Sequence, residues 1–248
     1  MIYLKNDEQI EKMYVANQIV KNTLDLVEKY IKPGVSTKFL DEIAEDYIRS
    51  QNAIPNFKNY GGYPASICAS INDVVVHGIP HSNIILKEGD IISIDCGATK
   101  SGYNGDAART FPVGKISKEK QKLIDITREC FFKGIENIKV GDRLGDIGYK
   151  IQQHAEKNGF SVVREMVGHG IGKSLHEDPE VPNYGKQNTG IIIKEGMTLA
   201  IEPMINMGKK DIYIEDDEWT CRTCDHSPSA HYENTVAFTK NGIRILSL

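Results

Sequence analysis

No stretch of this 248-residue chain approaches the roughly 18–20 consecutive apolar residues of a membrane-spanning helix, which excludes a helical membrane anchor. The first twelve positions carry Lys5, Asp7, Glu8, Glu11 and Lys12 and lack an apolar core, so they do not read as a secretory signal. Cysteine is scarce and odd in number, five in all, which argues against a disulfide framework and sets a reducing cytoplasm as the expected location. Basic charge is not in excess: 30 Lys and Arg stand against 34 Asp and Glu, a net charge of −4. That balance excludes nucleic-acid binding by bulk charge. No Ser/Gly/Pro-rich linker divides the chain, so one α+β domain over residues 1–248 is expected rather than two separable ones. What is present suits a packed core: 40% of residues are hydrophobic and 26% charged.

Residues 8–31 place Ile10, Met13, Ile19, Val20, Leu24, Val27 and Ile31 at helical spacings, and Pro33-Gly34 is expected to stop that helix. A second helix, capped by Ser36 or Thr37, carries Leu40, Ile43, Ala44, Tyr47 and Ile48 on one face. A similar pair is predicted at 118–138 and from Asp142 to 157. Strand-like segments lie at 74–77, 91–96, 105–113, 161–167, 197–205 and 231–238. Ile31-Lys32-x-Gly34 recurs 107 positions later as Ile138-Lys139-x-Gly141, and Lys87-Glu88-Gly89 with Asp95 recurs at the same offset as Lys194-Glu195-Gly196 with Glu202. Two echoes at one offset suggest a duplicated half, approximately 8–115 and 116–240, with a carboxylate ending the repeated strand each time.

Four acids share a local setting. Because side chains alternate along a strand, Asp95 shares its face with Ser93, Asp106 with Ala108, Glu202 with Ala200 and Glu233 with Thr235. The opposite faces hold Ile92, Ile94, Leu199, Ile201, Val236 and Phe238. The pattern describes a sheet-floored cavity lined with acids. The midpoint of Asp95 and Asp106 falls at position 100.5, beside a turn signal at Ser101-Gly102, and a hairpin closed at that midpoint makes them direct cross-strand neighbours, their Cβ atoms about 5 Å apart. Two ionised carboxylates that close repel unless a cation lies between them or one is protonated. An isolated pair of this kind reads more often as two solvated acids on an exposed sheet face; two further acids in strands of the same character reverse that balance.

Three histidines lie beside glycine: His77 at the end of Val74-Val75-Val76, His169 in Gly168-His169-Gly170-Ile171-Gly172, and His176 in Leu175-His176-Glu177-Asp178-Pro179. His81, His154, His226 and His231 have polar or helical contexts and are read as structural. Two Asp, two Glu and one His form an oxygen-rich set suited to two divalent cations such as Mn²⁺, Fe²⁺ or Co²⁺. Paired metals are a hydrolytic device that lowers the pKa of a shared water. Cys221-Arg222-Thr223-Cys224 lacks a second pair and reads as incidental.

Asn72-Asp73-Val74-Val75-Val76-His77-Gly78-Ile79-Pro80, Asp95-Cys96-Gly97, Gly105-Asp106, Gly168-His169-Gly170-Ile171-Gly172, His176-Glu177-Asp178-Pro179, Ile201-Glu202-Pro203-Met204 and Tyr232-Glu233-Asn234-Thr235 together resemble the type I methionine aminopeptidases. The match runs in order from about residue 5 to the C-terminus. The resemblance implies a pita-bread α+β fold, two pseudo-symmetric halves around a central antiparallel sheet carrying a dinuclear metal site. It implies removal of the initiator methionine from nascent proteins when the second residue is small. In that family's terms Asp95 chelates one metal, Asp106 and Glu233 bridge both, and His169 and Glu202 complete the coordination of the other metal. Glu202 also corresponds to the general base, His77 to a contact with the scissile amide nitrogen, and His176 to a donor toward the carbonyl oxygen.

The methionine pocket would be built by Tyr60, Tyr63, Cys68 and Trp219 with Phe57 nearby; Phe57 and Leu175 stand where relatives often carry other residue types. Asn72, Val74 and Ser229 match a monovalent-cation site of the family. The implied partners are nascent N-termini and the ribosome, with no membrane or nucleic-acid role, and a monomer is expected. A prolidase or aminopeptidase P relative shares the fold and ligands but generally carries an extra N-terminal domain, for which a catalytic fold starting near Met1 leaves no room. A non-catalytic binding homologue is the third reading; such proteins usually lose ligands, and all five are present.

Overall fold

The computed structural model describes residues 1–248. Four long helices are α1 (Asp7–Glu28), α2 (Thr37–Ser50), α3 (Lys118–Ile135) and α4 (Leu144–Lys157). The strands in chain order are β1 (Ile54–Pro55), β2 (Ile67–Ile71), β3 (Val74–Val76), β4 (Ile91–Lys100), β5 (Tyr103–Pro112), β6 (Ser161–Val162), β7 (Gly168–Gly170) and β8 (Glu177–Val181). They continue with β9 (Thr198–Ile201), β10 (Met204–Asn206), β11 (Ile212–Ile214), β12 (Cys221–Thr223), β13 (Ser229–His231), β14 (Asn234–Thr239) and β15 (Gly242–Ile245).

The helix starts follow side-chain chemistry. Asn6 accepts the Gln9 amide while the Gln9 side chain accepts the Asn6 amide, a reciprocal box that opens α1. Ser36, not Thr37, caps α2 through the Phe39 amide. Asp142 does not open α4: its carboxylate closes a turn with the Lys139 amide at 2.9 Å, and Arg143 takes the cap position. The expected stop at Pro33-Gly34 comes late, since α1 ends at Glu28. Residues 29–31 tighten into three-residue turns, and the Gly34 amide is drawn to Leu86 O at 2.8 Å.

All strand pairings are antiparallel. In the first half β5, β4 and β2 lie side by side under α1 and α2, with Ile92, Ile94 and Ile67 packed against Leu24, Leu40 and Ile48. In the second half the order is β15-β14-β9-β7-β8, and Leu199, Val236 and Phe238 pack against Phe131 and Ile147 of α3 and α4. The two sheets meet where the Glu233 amide donates to Ala108 O at 2.9 Å and the Ala108 amide returns to Glu233 O at 3.4 Å.

The repeat is visible as geometry. Gly34 N bonds Leu86 O and Gly141 N bonds Ile193 O; Thr37 N bonds Ile84 O and Leu144 N bonds Ile191 O. Gly89 and Gly196 both take positive φ, +89° and +85°, a conformation that favours glycine. These pairs keep the 107-residue offset read in the sequence.

Two of the expected strands are broken in a matched way. Residues 197–205 divide into β9 and β10 around Glu202-Pro203, and 231–238 into β13 and β14 around Tyr232-Glu233. Pro203 has no N–H for a ladder. The breaks face each other, because Ile201 pairs with Asn234 and Met204 with His231. Both chains therefore leave the five-stranded sheet together and join β6 in another. The expected strand 161–167 shrinks to Ser161–Val162.

Candidate metal centre and active site

The five candidate ligands come from both halves. Asp95 lies on β4 between Cys68 of β2 and Ala108 of β5. Asp106 pairs with Gly97, so the two aspartates are not directly opposite as expected. The turn is centred between Ser101 and Gly102, with Lys100 paired to Tyr103, which shifts the register by two residues. The pair keeps one face and becomes diagonal, a separation of roughly 7–8 Å between backbones. Glu202 and Glu233 occupy the two facing strand breaks. His169 is the centre of β7, opposite Ala200 on one side and Glu180 on the other. Its glycine neighbours are required by close packing: a Cβ at Gly168 would lie 2.3 Å from Ala200 O, and one at Gly170 2.2 Å from Asp178 O.

All five line one cavity of about 680 Å³, together with His77, His176, Phe57, Tyr60, Tyr63, Cys68 and Trp219. The His169 Nε2 is 3.8 Å from Asp106 Oδ2 and 3.7 Å from Glu202 Oε1. Donor atoms of Asp106, His169 and Glu233 all lie within 4.8 Å of one another. The His169 Nδ1 meets Gly170 O at 2.9 Å, which leaves Nε2 as the bare nitrogen facing the acids.

The electrostatics of this cluster are unfavourable on their own. Burial pushes Asp95 up to about 7 and Glu202 up to about 8. Burial, reinforced by repulsion from neighbouring carboxylates, holds Asp106 and Glu233 well above the ordinary range. Asp95 Oδ1, Asp106 Oδ1 and Glu233 Oε1 are buried and have no hydrogen-bond partner. Orphaned buried carboxylate oxygens are costly, and a divalent cation satisfies them without a proton. The donor set is oxygen-rich with one imidazole, so the residues fit hard divalent metal ions.

Beside the acids the cavity becomes apolar. Phe57, Tyr63, Cys68, Leu175 and Trp219 pack in one cluster. Tyr63 is fixed by donating to Ile67 O and Gly78 O at 3.1 and 3.0 Å, and its ring meets Trp219 edge to face at 5.1 Å. Tyr60 is placed differently: it is 42% exposed, and its hydroxyl lies 2.9 Å from His176 Nδ1. His77 takes a positive φ of +60°, a strained conformation for a non-glycine residue and one that concentrates at functional sites. Burial lowers it to about 4, so it is neutral near pH 7.

Two further residues belong to the site. His231, read as structural from sequence, is 1% exposed with its Nε2 only 3.5 Å from Glu202 Oε2. Its signal was the two-residue spacing from Glu233, which gives both the same face if the strand is unbroken. Arg109 holds the Glu233 main chain, donating to Glu233 O and to Asn234 Oδ1 while stacking on Tyr232. No local pattern marks Arg109 in the sequence. Asn72, Val74 and Ser229 do not line the cavity; the Ser229 amide donates to Asn72 O at 2.8 Å. Cys221 is buried, Cys224 is exposed, and both are free thiols.

A model of metallopeptidase family M24 matches residues 11–240. A methionine aminopeptidase of Clostridium acetobutylicum is 56% identical over 248 residues, covering 100% of this chain and 99% of the relative. The crystal structure of methionine aminopeptidase from Rickettsia prowazekii superposes with a TM-score of 0.98 at 44% identity, covering 100% of both chains. Prolidase from Pyrococcus furiosus shares the fold at 23% identity, with a TM-score of 0.77 and 65% of that chain covered.

Proposed function

The chain belongs to metallopeptidase family M24, and from that premise we propose that it is a metal-dependent aminopeptidase removing the N-terminal methionine of nascent proteins whose second residue is small. One observation carries the reading: a complete acid-and-imidazole donor set and an apolar slot of Phe57, Tyr63, Cys68 and Trp219 line the same cavity. A slot of aromatic rings and a thiol is polarisable and suits an unbranched thioether. The prolidase alternative is not favoured, because it rests on a likeness of fold at 23% identity.

Asp95, Asp106, His169, Glu202 and Glu233 would hold two divalent ions, of Mn, Fe or Co. Bound there, such ions polarise the substrate carbonyl and lower the pKa of water. Glu202, whose proton affinity burial raises, accepts the proton of the attacking water and passes it toward the leaving amine. His77, neutral and held beside Trp219 with ring centroids 6.4 Å apart, faces the scissile amide nitrogen. His176, on the cavity rim, donates to the carbonyl oxygen as negative charge develops on it. Asn72, Val74 and Ser229 form a monovalent-cation site on the same reading. The enzyme works as a cytoplasmic monomer on chains emerging from the ribosome. No helix is long and apolar enough to cross a membrane.

The test is cleavage of Met-Ala-Ser against Gly-Pro in the presence of Mn²⁺ or Co²⁺. Release of methionine, abolished in Asp106→Asn together with metal binding, is expected. Cleavage of Gly-Pro alone refutes the assignment.

A further inference from the structure

The imidazoles of His169 and His176 touch edge to face, with ring centroids 4.2 Å apart and an interplanar angle of 83°. Their Nδ1 atoms meet opposite chemistries. His169 Nδ1 faces a carbonyl oxygen, Gly170 O at 2.9 Å, which can only accept; the proton therefore sits on Nδ1 and Nε2 is bare. His176 Nδ1 faces the Tyr60 hydroxyl at 2.9 Å. A phenol is the better donor of that pair and a neutral imidazole nitrogen the better acceptor, so Nδ1 is bare and the proton sits on Nε2.

We propose that Tyr60 is a positioning residue whose hydroxyl holds His176 in the Nε2–H tautomer. Of two touching histidines, one is thereby kept as a metal-ligand nitrogen and the other as a hydrogen-bond donor toward the substrate. The proposal rests on the reading that His176 faces the scissile carbonyl.

The local backbone supports it. Asn59, Gly61 and Gly62 all take positive φ, at 68°, 56° and 96°, and this tight turn separates the two tyrosines. Tyr63 is directed inward, 3% exposed, with its hydroxyl spent on two main-chain carbonyls. Tyr60 stays on the rim, its ring edge-on to His176 at a centroid distance of 5.1 Å. The turn is pinned by Asn59 N to Tyr63 O at 2.8 Å and Tyr60 N to Phe57 O at 2.9 Å. A residue that served only as a wall of the methionine slot would not need its hydroxyl.

Two measurements decide the matter. In steady-state kinetics on Met-Ala-Ser with the Mn²⁺-loaded enzyme at pH 8, Tyr60→Phe should lower kcat about three- to tenfold, the worth of one neutral hydrogen bond, with KM unchanged. On a His176→Ala background the same substitution should have no further effect. In ¹⁵N-histidine NMR of the diamagnetic Zn²⁺-loaded enzyme, His176 should show a protonated Nε2 and an acceptor Nδ1, and Tyr60→Phe should mix the tautomers. A raised KM at constant kcat, or a protonated Nδ1 in the parent enzyme, overturns the proposal. If His176→Ala leaves kcat intact, the role of His176 fails instead, while the NMR signature still judges the tautomer lock.

Discussion

Lys5 and Glu177, 172 residues apart, form an ion pair that is almost completely buried, each side chain 6% exposed. The ammonium donates to Glu177 Oε2 at 2.5 Å and to Tyr3 O at 2.9 Å, while Glu177 Oε1 accepts the Ser174 amide at 3.2 Å. The Lys5 amide is itself tied to Gly196 O at 2.7 Å. Replacing Lys5 by Met keeps the stem volume and strands a buried carboxylate. Stranding one partner of a buried pair costs about 3–5 kcal/mol. For a chain of this size each kcal/mol moves the melting temperature by roughly 2–4 °C, so a fall of about 6–20 °C is expected by calorimetry. The double variant Lys5→Met with Glu177→Gln removes both charges and should recover all but about 1–2 kcal/mol of the loss. Since Glu177 follows His176 directly, the single variant should also lower kcat more than it raises KM. A Lys5→Met protein within about 0.5 kcal/mol of the parent would refute the reasoning, because the pair would then behave as a solvated surface bridge.

Other consequences follow from the site. His77→Ala should reduce turnover while metal analysis finds the same metal content as in the parent; loss of metal would move His77 into the ligand set. The metal-free protein should lose stability as pH rises from about 6.5 to 8, where Asp95 at about 7 and Glu202 at about 8 give up protons in the folded state that the unfolded chain has already lost. The buried histidines oppose this only in part and only near the start of the window: His77 at about 4 and His169 at about 3 are neutral in the folded state, while the unfolded chain still gives up their protons around pH 6.5 and has lost nearly all of them by about 7.5. A divalent ion should abolish the decline, and a melting temperature flat in pH without metal would contradict it. Activity should fall in acid as protons compete with the ions for the same oxygens, so a rate constant down to about pH 4 would count against a carboxylate-held centre.

Much of this was legible in the chain itself. Alternation along strands placed Asp95, Asp106, Glu202 and Glu233 on one lining, and the shared offset of Asp95 and Glu202 anticipated two joined halves. The aspartate register was misjudged because centring the turn one residue early moves the pairing by two; the face survived that error, since side chains repeat every two residues. His231 sits in a setting that looks polar, and its two-residue spacing from Glu233 is a poor guide once the strand breaks at Tyr232-Glu233; its nearness to Glu202 comes from pairing opposite Met204, a long-range contact that the local sequence does not report. Tyr60 and Tyr63 look equivalent in Tyr60-Gly61-Gly62-Tyr63. The left-handed glycines between them send the two rings to different tasks, which no periodicity reports.

The donor set is divided between the repeats: Asp95 and Asp106 from the first, His169, Glu202 and Glu233 from the second. An ion held by both works as a removable staple across a long stretch of chain, tightening the folded state by about 2.7 kcal/mol at a hundred times its dissociation constant. Durability then becomes a property of the surroundings as much as of the polypeptide. A cell that runs short of the ion loses the catalyst twice, once through its chemistry and again through the loosening of the seam that keeps the duplicated parts shut.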